Sequence, residues 1–187
     1  MKEYKAWEHI SSEYLVQEKW FKFRKDDVRK SNGEIMHAYY VLEYSDWVTV
    51  FPLTTDGKVI LVKQYRYGVG QWSVELPGGI MDPHETDPEV AAKRELLEET
   101  GYTAAQIERV AVIAPNPATA NNLMHCYLAT GCELTHDQEF DEDEELTVML
   151  VTIDELKQLL KENKILQSLH ISSMMYALEK LGEIKWS

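Results

Sequence analysis

The most informative segment of the chain is residues 78–102, which read GGIMDPHETDPEVAAKRELLEETGY. It opens with a glycine pair and turn-forming residues, and Asp87-Pro88 then has the composition of a helix start. The apolar residues that follow recur at helical spacing, at Ala91, Ala92, Leu96 and Leu97. Gly101 stands where a left-handed residue ends a helix. The segment therefore predicts a loop, a helix and a second loop, with Thr86 or Asp87 as the helix cap.

Glu95, Glu98 and Glu99 place three carboxylates on one face of the predicted helix, because residues three and four apart are neighbours there. One interpretation is a solvated acidic face paired with Lys93 and Arg94. The other is a divalent cation site, since hard ions such as Mg²⁺ take oxygen ligands and remove the repulsion among the carboxylates. A glycine pair that lets backbone approach closely, followed by a carboxylate-bearing helix, suits cations bound against a phosphate chain. This context favours the second interpretation.

Short apolar and aromatic runs surround this segment on both sides. Asn32-Gly33 and Asp56-Gly57 each stand between two such runs, and these pairs are typical of hairpin turns. The patterns predict strands at residues 14–16, 20–24, 36–44, 47–52, 59–66, 72–76, 107–114, 123–130 and 147–153, and further helices at 154–163 and 169–181. Strands, one central helix, more strands and terminal helices make an α+β fold or a mixed α/β/α sandwich. We place a boundary near residue 50, between a β-rich region 1–50 and a main body 51–187.

The composition excludes several classes of protein. A chain of 187 residues suits one domain with a small appendage. Its 19 Lys and Arg against 32 Asp and Glu give a net charge of −13, which argues against a nucleic-acid or anionic-membrane surface. No apolar run reaches the roughly 18 residues of a membrane span, and the charged N-terminus does not resemble a signal peptide. Two cysteines, Cys126 and Cys132, fit a reducing compartment, so we expect a cytoplasmic protein.

Gly79, Glu85 and the run Arg94-Glu95-Leu96-Leu97-Glu98-Glu99-Thr100-Gly101-Tyr102 resemble the Nudix box. The family pattern is Gly, five residues, Glu, seven residues, then Arg-Glu-apolar-any-Glu-Glu-any-Gly-apolar. The half from Arg94 to Tyr102 fits, whereas eight residues instead of seven separate Glu85 from Arg94. We interpret the difference as a one-residue insertion before the helix, around Thr86-Asp87-Pro88. The resemblance implies the Nudix-type α/β/α sandwich, in which a mixed sheet lies between helices.

Two further motifs resemble the ADP-ribose and nucleoside-diphosphate-sugar pyrophosphatase branch of that family. They are Gln64-Tyr65-Arg66 and Glu75-Leu76-Pro77-Gly78-Gly79. Pro117 lies fifteen residues after Tyr102, where a proline marks ADP-ribose hydrolysis in this branch, although Asn116-Pro117-Ala118 differs from the common Ser-Pro-Gly form. The branch uses its N-terminal region for dimerisation, so the resemblance implies a homodimer formed through residues 1–50.

The resemblance also implies roles for individual residues. It assigns metal binding to Glu95, Glu98, Glu99 and the carbonyl of Gly78, with Mg²⁺ as the expected ion and Mn²⁺ as the alternative. Arg94 is implied as an orienting residue and Glu98 as a catalytic one. The general base of the branch comes from a late acidic loop, and Glu142 and Glu144 in the acidic run 133–145 are the candidates for the base and an additional metal ligand, in either order. The other interpretation of that run is a solvated loop. Substrate binding is implied for Arg66, Glu75 and Pro117, with a strand-end surface charge as the alternative for Arg66.

The implied function is Mg²⁺-dependent hydrolysis of the diphosphate bond in ADP-ribose or a related nucleoside diphosphate sugar, giving a nucleoside monophosphate and a sugar phosphate. One alternative keeps the family and changes the substrate to a nucleoside triphosphate, a dinucleotide or an isoprenyl diphosphate. Another is a Nudix-like domain that binds a nucleotide without turnover. The late acidic loop, Arg66 and Pro117 favour the nucleotide-sugar branch, and the complete set of helix carboxylates favours an enzyme.

Overall fold

The computed structural model describes residues 5–137 and 145–185, and the chain divides into two compact units. The first unit comprises the residues up to Ser45 together with Ala114–Leu123, and the second comprises Asp46–Ile113 and the residues from Met124 onward. The division after Ser45 falls between the strands predicted at 36–44 and 47–52. A dimerisation role for residues 1–50 stays a prediction.

The first unit is built on a three-stranded antiparallel sheet. Its strands are β1 (Glu8–Gln17), β2 (Lys22–Arg29) and β3 (Ile35–Glu43), in the spatial order β1-β2-β3. Gly33 adopts a φ of +90° in the turn between β2 and β3, as the Asn-Gly pair predicts. The segment 114–123 adds to this unit through a parallel bridge between Leu42 and Ala120. All ten residues of the edge strand β1 are exposed.

The second unit contains a seven-stranded mixed sheet. Its strands are β4 (Trp47–Thr54), β5 (Lys58–Arg66), β6 (Gln71–Glu75), β7 (Tyr102–Thr103), β8 (Gln106–Ile113), β9 (Met124–Leu134) and β10 (Leu146–Thr152). The spatial order is β10-β5-β4-β9-β7, with β6 paired to β5 and β8 paired to β9. The pair β4–β9 is parallel, whereas β5 pairs antiparallel with both β6 and β10.

Helices cover both faces of this sheet. They are α1 (Pro88–Thr100), α2 (Ile153–Lys161) and α3 (Ser168–Lys180). One buried cluster packs α1 against β4, β5 and β9 through Ala91, Ala92, Leu96, Val48, Val50 and Ile60. On the opposite face, a second buried cluster packs α2 and α3 against β4 and β5 through Leu156, Met174, Ala177, Leu178, Phe51 and Leu61. Successive strand residues point to opposite faces, so Ile60 meets α1 while its neighbours meet the other layer. The predicted α/β/α sandwich is confirmed.

The loop that follows β6 brings backbone against β4 and leads towards α1. Val50 N–H donates to Pro77 O at 2.9 Å, and Val48 N–H donates to Gly79 O at 2.9 Å. Gly78 has a φ of +152°, and a Cβ there would lie 2.8 Å from Thr49 Cα. Only glycine fits this position, because the loop lies directly on the neighbouring strand.

Three strand predictions differ from the structure. The strand predicted at 14–16 is β1, which spans ten residues. The strand predicted at 20–24 is β2, which lies two residues later and continues through the charged residues to Arg29. Ion pairs across the sheet offset the low strand propensity of those residues: Lys25 contacts Glu13, and Arg29 contacts Glu8. The two-residue strand β7 was not predicted, because it is too short to show alternation. None of the helices in the described ranges is long and apolar enough to cross a membrane.

Candidate active site around the carboxylate helix

The N-terminus of α1 is fixed by Asp87. Its side chain accepts a hydrogen bond from Glu89 N–H at 3.0 Å, and Pro88 occupies the first helical position. Of the two predicted caps, the structure therefore uses Asp87, while Thr86 is exposed. At the other end Gly101, with a φ of +75°, donates its N–H to Leu97 O and ends the helix as predicted.

Arg94 lies at the centre of a cluster of carboxylates. Its guanidinium binds Glu85 through two hydrogen bonds of 3.0 and 3.2 Å, Glu95 through one of 2.9 Å and Glu98 through one of 2.8 Å. Burial opposes the charge of Arg94, but these hydrogen bonds and negative charges raise the pKa of the guanidinium above its ordinary value. One positive charge is thus shared by three carboxylates.

Glu85 reaches Arg94 despite the additional residue between them. The loop turns at this point, since Glu85 N–H donates to Asp82 O at 2.9 Å and Asp82 N–H donates to Glu85 Oε2 at 2.8 Å. The hydrogen bonds from Arg94 lower the pKa of the Glu85 carboxyl, although burial opposes them. The inserted residue is therefore accommodated between this turn and the start of α1, and the Glu85–Arg94 pair forms.

Glu95 and Glu99 lie one turn apart on the buried side of α1, against the glycine pair. Glu99, only 3% exposed, accepts a hydrogen bond from Gly78 N–H at 2.9 Å. Glu95 is 8% exposed, and its Oε1 would lie 2.6 Å from a Cβ at Gly79. The side chain of Glu98 is more open, at 42% exposed. The three carboxylates of the predicted face therefore differ, with two buried on the loop and one facing outward.

The donor atoms of this cluster fit a hard divalent cation. Within the described ranges, no three His, Cys, Asp or Glu side chains are placed to form a metal centre by themselves. Mg²⁺ does not require such a cage, because it is usually bound by one or two carboxylates together with phosphates of the substrate. Glu95 and Glu99 supply buried carboxylate oxygens beside a backbone that only glycine permits, and this set suits the ion.

Arg66 and Glu75 face each other across the β5–β6 hairpin. Arg66 Nε and Nη2 donate to the two carboxylate oxygens of Glu75 at 3.0 and 2.6 Å. Glu75 is 1% exposed, whereas the Arg66 side chain is 42% exposed. Burial alone would raise the pKa of the Glu75 carboxyl, but the hydrogen bonds from Arg66 and nearby positive charge lower it below its ordinary value. Two hydrogen bonds to a buried carboxylate thus hold the partly exposed Arg66 guanidinium.

His170 on α3 is a residue of this region that sequence reasoning missed. Its Nδ1 accepts a hydrogen bond from Leu76 N–H at 3.0 Å, and its Nε2 lies 3.4 Å from Glu75 Oε2. Burial lowers the pKa of the imidazole to about 4, against the opposing effect of the Glu75 charge. No local sequence pattern indicates this contact, because 94 residues separate His170 from Leu76.

The remaining predicted residues lie elsewhere. Pro117 belongs to the first unit and begins a turn in which Asn116 O accepts hydrogen bonds from Thr119 N–H and Ala120 N–H. The two candidate bases, Glu142 and Glu144, lie outside the described residues. In the described part of the second unit, the structure therefore places together Arg94, Glu95, Glu98, Glu99, Gly78 and, unexpectedly, Glu85.

Comparison with known proteins agrees with this architecture. The model of the NUDIX domain family matches residues 43–170. A relative named methanol dehydrogenase activator, from Bacillus methanolicus, is 33% identical over 89% of this chain and 90% of its own length. An ADP-ribose pyrophosphatase from Bacillus subtilis is 32% identical over 83% of this chain and 84% of its own length. A crystal structure described as an ADP compounds hydrolase superposes with a TM-score of 0.82 at 22% identity, covering 98% of this chain and 100% of the other, and shows the shared fold.

Proposed function

Because this chain belongs to the NUDIX domain family, we propose that it is a Mg²⁺-dependent pyrophosphatase of ADP-ribose or a related nucleoside diphosphate sugar. Water attacks one phosphorus of the diphosphate, the bond from that phosphorus to the bridging oxygen breaks, and a nucleoside monophosphate and a sugar phosphate leave. The similarity to the ADP-ribose pyrophosphatase of Bacillus subtilis supports this choice of substrate.

The observation that carries the proposal is the acidic cluster on α1. Glu95 and Glu99 are buried against Gly78 and Gly79, while Arg94 is shared among Glu85, Glu95 and Glu98. An acidic pocket repels a diphosphate unless cations lie between the two. The cluster therefore suits a substrate that arrives with divalent metal.

We assign Mg²⁺ binding to Glu95, Glu98, Glu99 and the carbonyl oxygen of Gly78, and Mn²⁺ is the alternative ion. The chemistry that the ion supplies when bound is neutralisation of the diphosphate charge and a lower pKa for the attacking water. The Glu99 contact with Gly78 N–H fixes the loop, so that the carbonyl of the same peptide segment is presented in a constant position. Glu98, the most open of the three, is the carboxylate best placed to contact the substrate side.

The two arginines have different tasks in this proposal. Arg94 orients carboxylates, because its bonds to Glu85 and Glu98 fix the loop and the helix together. Arg66 binds the substrate, since its side chain is 42% exposed and a guanidinium makes paired hydrogen bonds to phosphate oxygens. Glu75 sets the plane of that guanidinium through two hydrogen bonds. Pro117 is proposed as a substrate-binding residue on its position in the sequence alone.

The general base is proposed to be Glu142 or Glu144. A carboxylate there takes a proton from the attacking water, which is the usual contribution of a positioned base. Both residues lie outside the described ranges. The support for this role is therefore their position in the sequence, immediately before β10.

We also propose that the protein is a cytoplasmic homodimer. The exposed apolar residues of β1, such as Ile10, Leu15 and Val16, support an interface on the first unit. Both cysteines, Cys126 and Cys132, are buried free thiols, which suits a reducing compartment.

A phosphate-release assay on a substrate panel tests the proposal. The panel contains ADP-ribose, ADP-glucose, GDP-mannose, UDP-glucose, NADH, diadenosine polyphosphate, ATP and 8-oxo-dGTP, each with Mg²⁺ and with EDTA. Phosphatase releases phosphate from monophosphate products, the triphosphate wells also receive pyrophosphatase, and controls lack the protein. The proposal expects Mg²⁺-dependent cleavage of ADP-ribose or a nucleotide sugar and little on the triphosphates.

The other results of the panel contradict the proposal in different ways. Activity confined to triphosphates would keep the family chemistry and contradict the substrate assignment to Arg66 and Pro117. No turnover from folded protein with Mg²⁺ bound would favour a domain that binds a nucleotide without cleaving it.

A further inference from the structure

His170 lies next to Glu75, the carboxylate of the Arg66–Glu75 pair. It lies on α3, buried with only 4% of its surface exposed. The imidazole contacts the last residue of β6 through Nε2 and the backbone N–H of the next residue, Leu76, through Nδ1. One side chain of α3 thus contacts both the carboxylate beneath Arg66 and the start of the glycine loop.

The hydrogen bond from Leu76 N–H defines the protonation of the ring. Nδ1 accepts this bond and therefore carries no proton, so a neutral imidazole carries its proton on Nε2. Nε2 lies 3.4 Å from Glu75 Oε2, the same oxygen that accepts Arg66 Nη2 at 2.6 Å. The low pKa of His170 agrees with a ring that stays neutral at physiological pH.

These contacts link His170 to Arg66 through Glu75. Glu75 is bound on one side by Arg66 and faces His170 on the other, so its carboxylate has little freedom to rotate. A fixed carboxylate holds the Arg66 guanidinium in one plane, and guanidinium orientation matters because its bonds to phosphate are directional.

We propose that His170 is a positioning residue for substrate binding, which acts through Glu75 to orient the Arg66 guanidinium towards the phosphates. This inference rests on the proposed role of Arg66 in substrate binding. It assigns to α3, a helix on the other layer of the sandwich, a part in the affinity for the nucleotide.

Two substitutions separate the two contacts of the ring. In H170Q the amide nitrogen reaches the former place of Nε2 and keeps a donor towards Glu75, but the acceptor for Leu76 N–H is lost. In H170N the amide oxygen keeps that acceptor, but the donor towards Glu75 is lost. We expect H170N to raise KM for ADP-ribose about tenfold with kcat within about twofold of wild type, and H170Q to keep KM within about threefold.

Thermal stability is expected to follow the opposite order. H170Q leaves the buried Leu76 N–H without its acceptor, so its Tm should fall below that of H170N. A role in packing alone would give KM and Tm effects in the same order or no KM effect. M174L, a volume-conserving change at another buried position of α3, is the matched control and should keep wild-type KM.

A double-mutant cycle then tests the route through Glu75. If His170 acts on Arg66 through Glu75, KM of H170N/E75Q should equal that of E75Q alone. If the fold-change in KM of the double variant equalled the product of the two single fold-changes, the proposal would be overturned. A wild-type KM in H170N would also overturn it.

Histidine-selective ¹⁵N NMR of the wild type gives a readout that needs neither turnover nor a variant that folds. We expect the neutral tautomer with its proton on Nε2 at pH 7, and a ring protonated on Nδ1 would overturn the inference. If wild-type protein cleaves neither ADP-ribose nor a nucleotide sugar, the proposed function fails, and the same KM comparison is made on the panel substrate that is cleaved. With no cleaved substrate, the dissociation constant of ADP-ribose replaces KM.

Discussion

The carboxylates of α1 share a sequence motif but differ in surroundings. Glu95 and Glu99 are buried against the glycine pair, and Glu98 is partly open and bound to Arg94 at 2.8 Å. The i,i+4 spacing predicts that last contact, as it does for any Arg and Glu one turn apart. Burial of the other two depends on the loop from β6, which the spacing does not describe.

Glu98→Gln tests the catalytic assignment. The substitution removes one negative charge from an exposed side chain, so the fold should survive and turnover should fall by at least about 100-fold. Steady-state kinetics and a thermal melt measure the two effects. Glu89→Gln, on the first turn of the same helix and paired with Lys93, is the matched control and should keep wild-type turnover. Equal activity in both variants would show that Glu98 is not catalytic.

The buried His170 predicts a pH dependence of stability. Its pKa of about 4 in the folded protein lies below the ordinary 6.5, so the unfolded chain binds more protons between these values. The ring therefore contributes stability fully above pH 6.5, and up to about 3 kcal/mol is lost as pH falls towards 4.

Denaturant unfolding from pH 7 to pH 4 measures this loss as the difference between wild type and H170N. Glu75 and Arg66 face the ring. Arg66 does not titrate in this range, and the same comparison in an E75Q background removes the contribution of Glu75, whose pKa depends on the ring. M174L should follow the wild-type profile. Parallel profiles for wild type and H170N would contradict a neutral buried imidazole.

Contacts of residues close in sequence were predictable, and those across the fold were not. The Arg94–Glu98 pair follows from helix spacing, and the Asp87 cap follows from composition. The bond between Glu85 and Arg94 depends on how the loop accommodates its additional residue, which spacing alone left open. His170 meets Leu76 only because α3 packs on the sheet.

At the scale of elements, α1 depends on its ends as well as on its buried face. Asp87 accepts the hydrogen bond of Glu89 N–H, which would otherwise have no partner within the helix. Asp87→Ala should lower the free energy of unfolding by about 1 kcal/mol. Urea denaturation measures the change, and Thr86→Ala, at the exposed preceding residue, should leave stability within about 0.5 kcal/mol. If Thr86→Ala lowered the free energy of unfolding more than Asp87→Ala does, Asp87 would not be the residue that caps the helix.

Strand prediction succeeded where apolar residues form continuous runs and failed where charges pair across the sheet. The runs in β4 and β5 are buried on both faces and stand out in the sequence. From Lys25 onward β2 is almost entirely charged, and the partners of Lys25 and Arg29, which are Glu13 and Glu8, lie on β1. Only the assembled sheet brings these charges together, so local propensity gave too short a strand.

At the scale of the whole molecule, the fold and the family follow from one motif and its context. The Nudix resemblance and the pyrophosphatase class predicted from residues 78–102 are confirmed by the family match and the ADP-ribose pyrophosphatase relative. The α/β/α arrangement is confirmed by α1 on one face of the sheet and α2 and α3 on the other. The choice among nucleotide substrates depends on side chains distributed over loops, and it stays a proposal.

The proposed dimer gives a prediction for the mass in solution. Light scattering should find about twice the chain mass of 21.7 kDa. Ile10→Lys/Val16→Lys places charges on the exposed strand β1 and should produce monomers at micromolar concentration. Val112→Lys, at an exposed valine of β8 in the second unit, should remain dimeric. A monomeric wild type, or a dimeric β1 variant, would contradict an interface on β1.

The most direct test of the proposed activity is a ³¹P NMR time course of ADP-ribose with the protein and Mg²⁺. We expect the diphosphate signals to disappear while AMP and ribose 5-phosphate appear in equal amounts, and EDTA to stop the reaction. We also expect Glu98→Gln to leave the diphosphate intact over the same period. Persistence of ADP-ribose, and of nucleotide sugars run in the same way, with folded wild-type protein and excess Mg²⁺, or equal cleavage in EDTA, would contradict the proposed Mg²⁺-dependent hydrolysis.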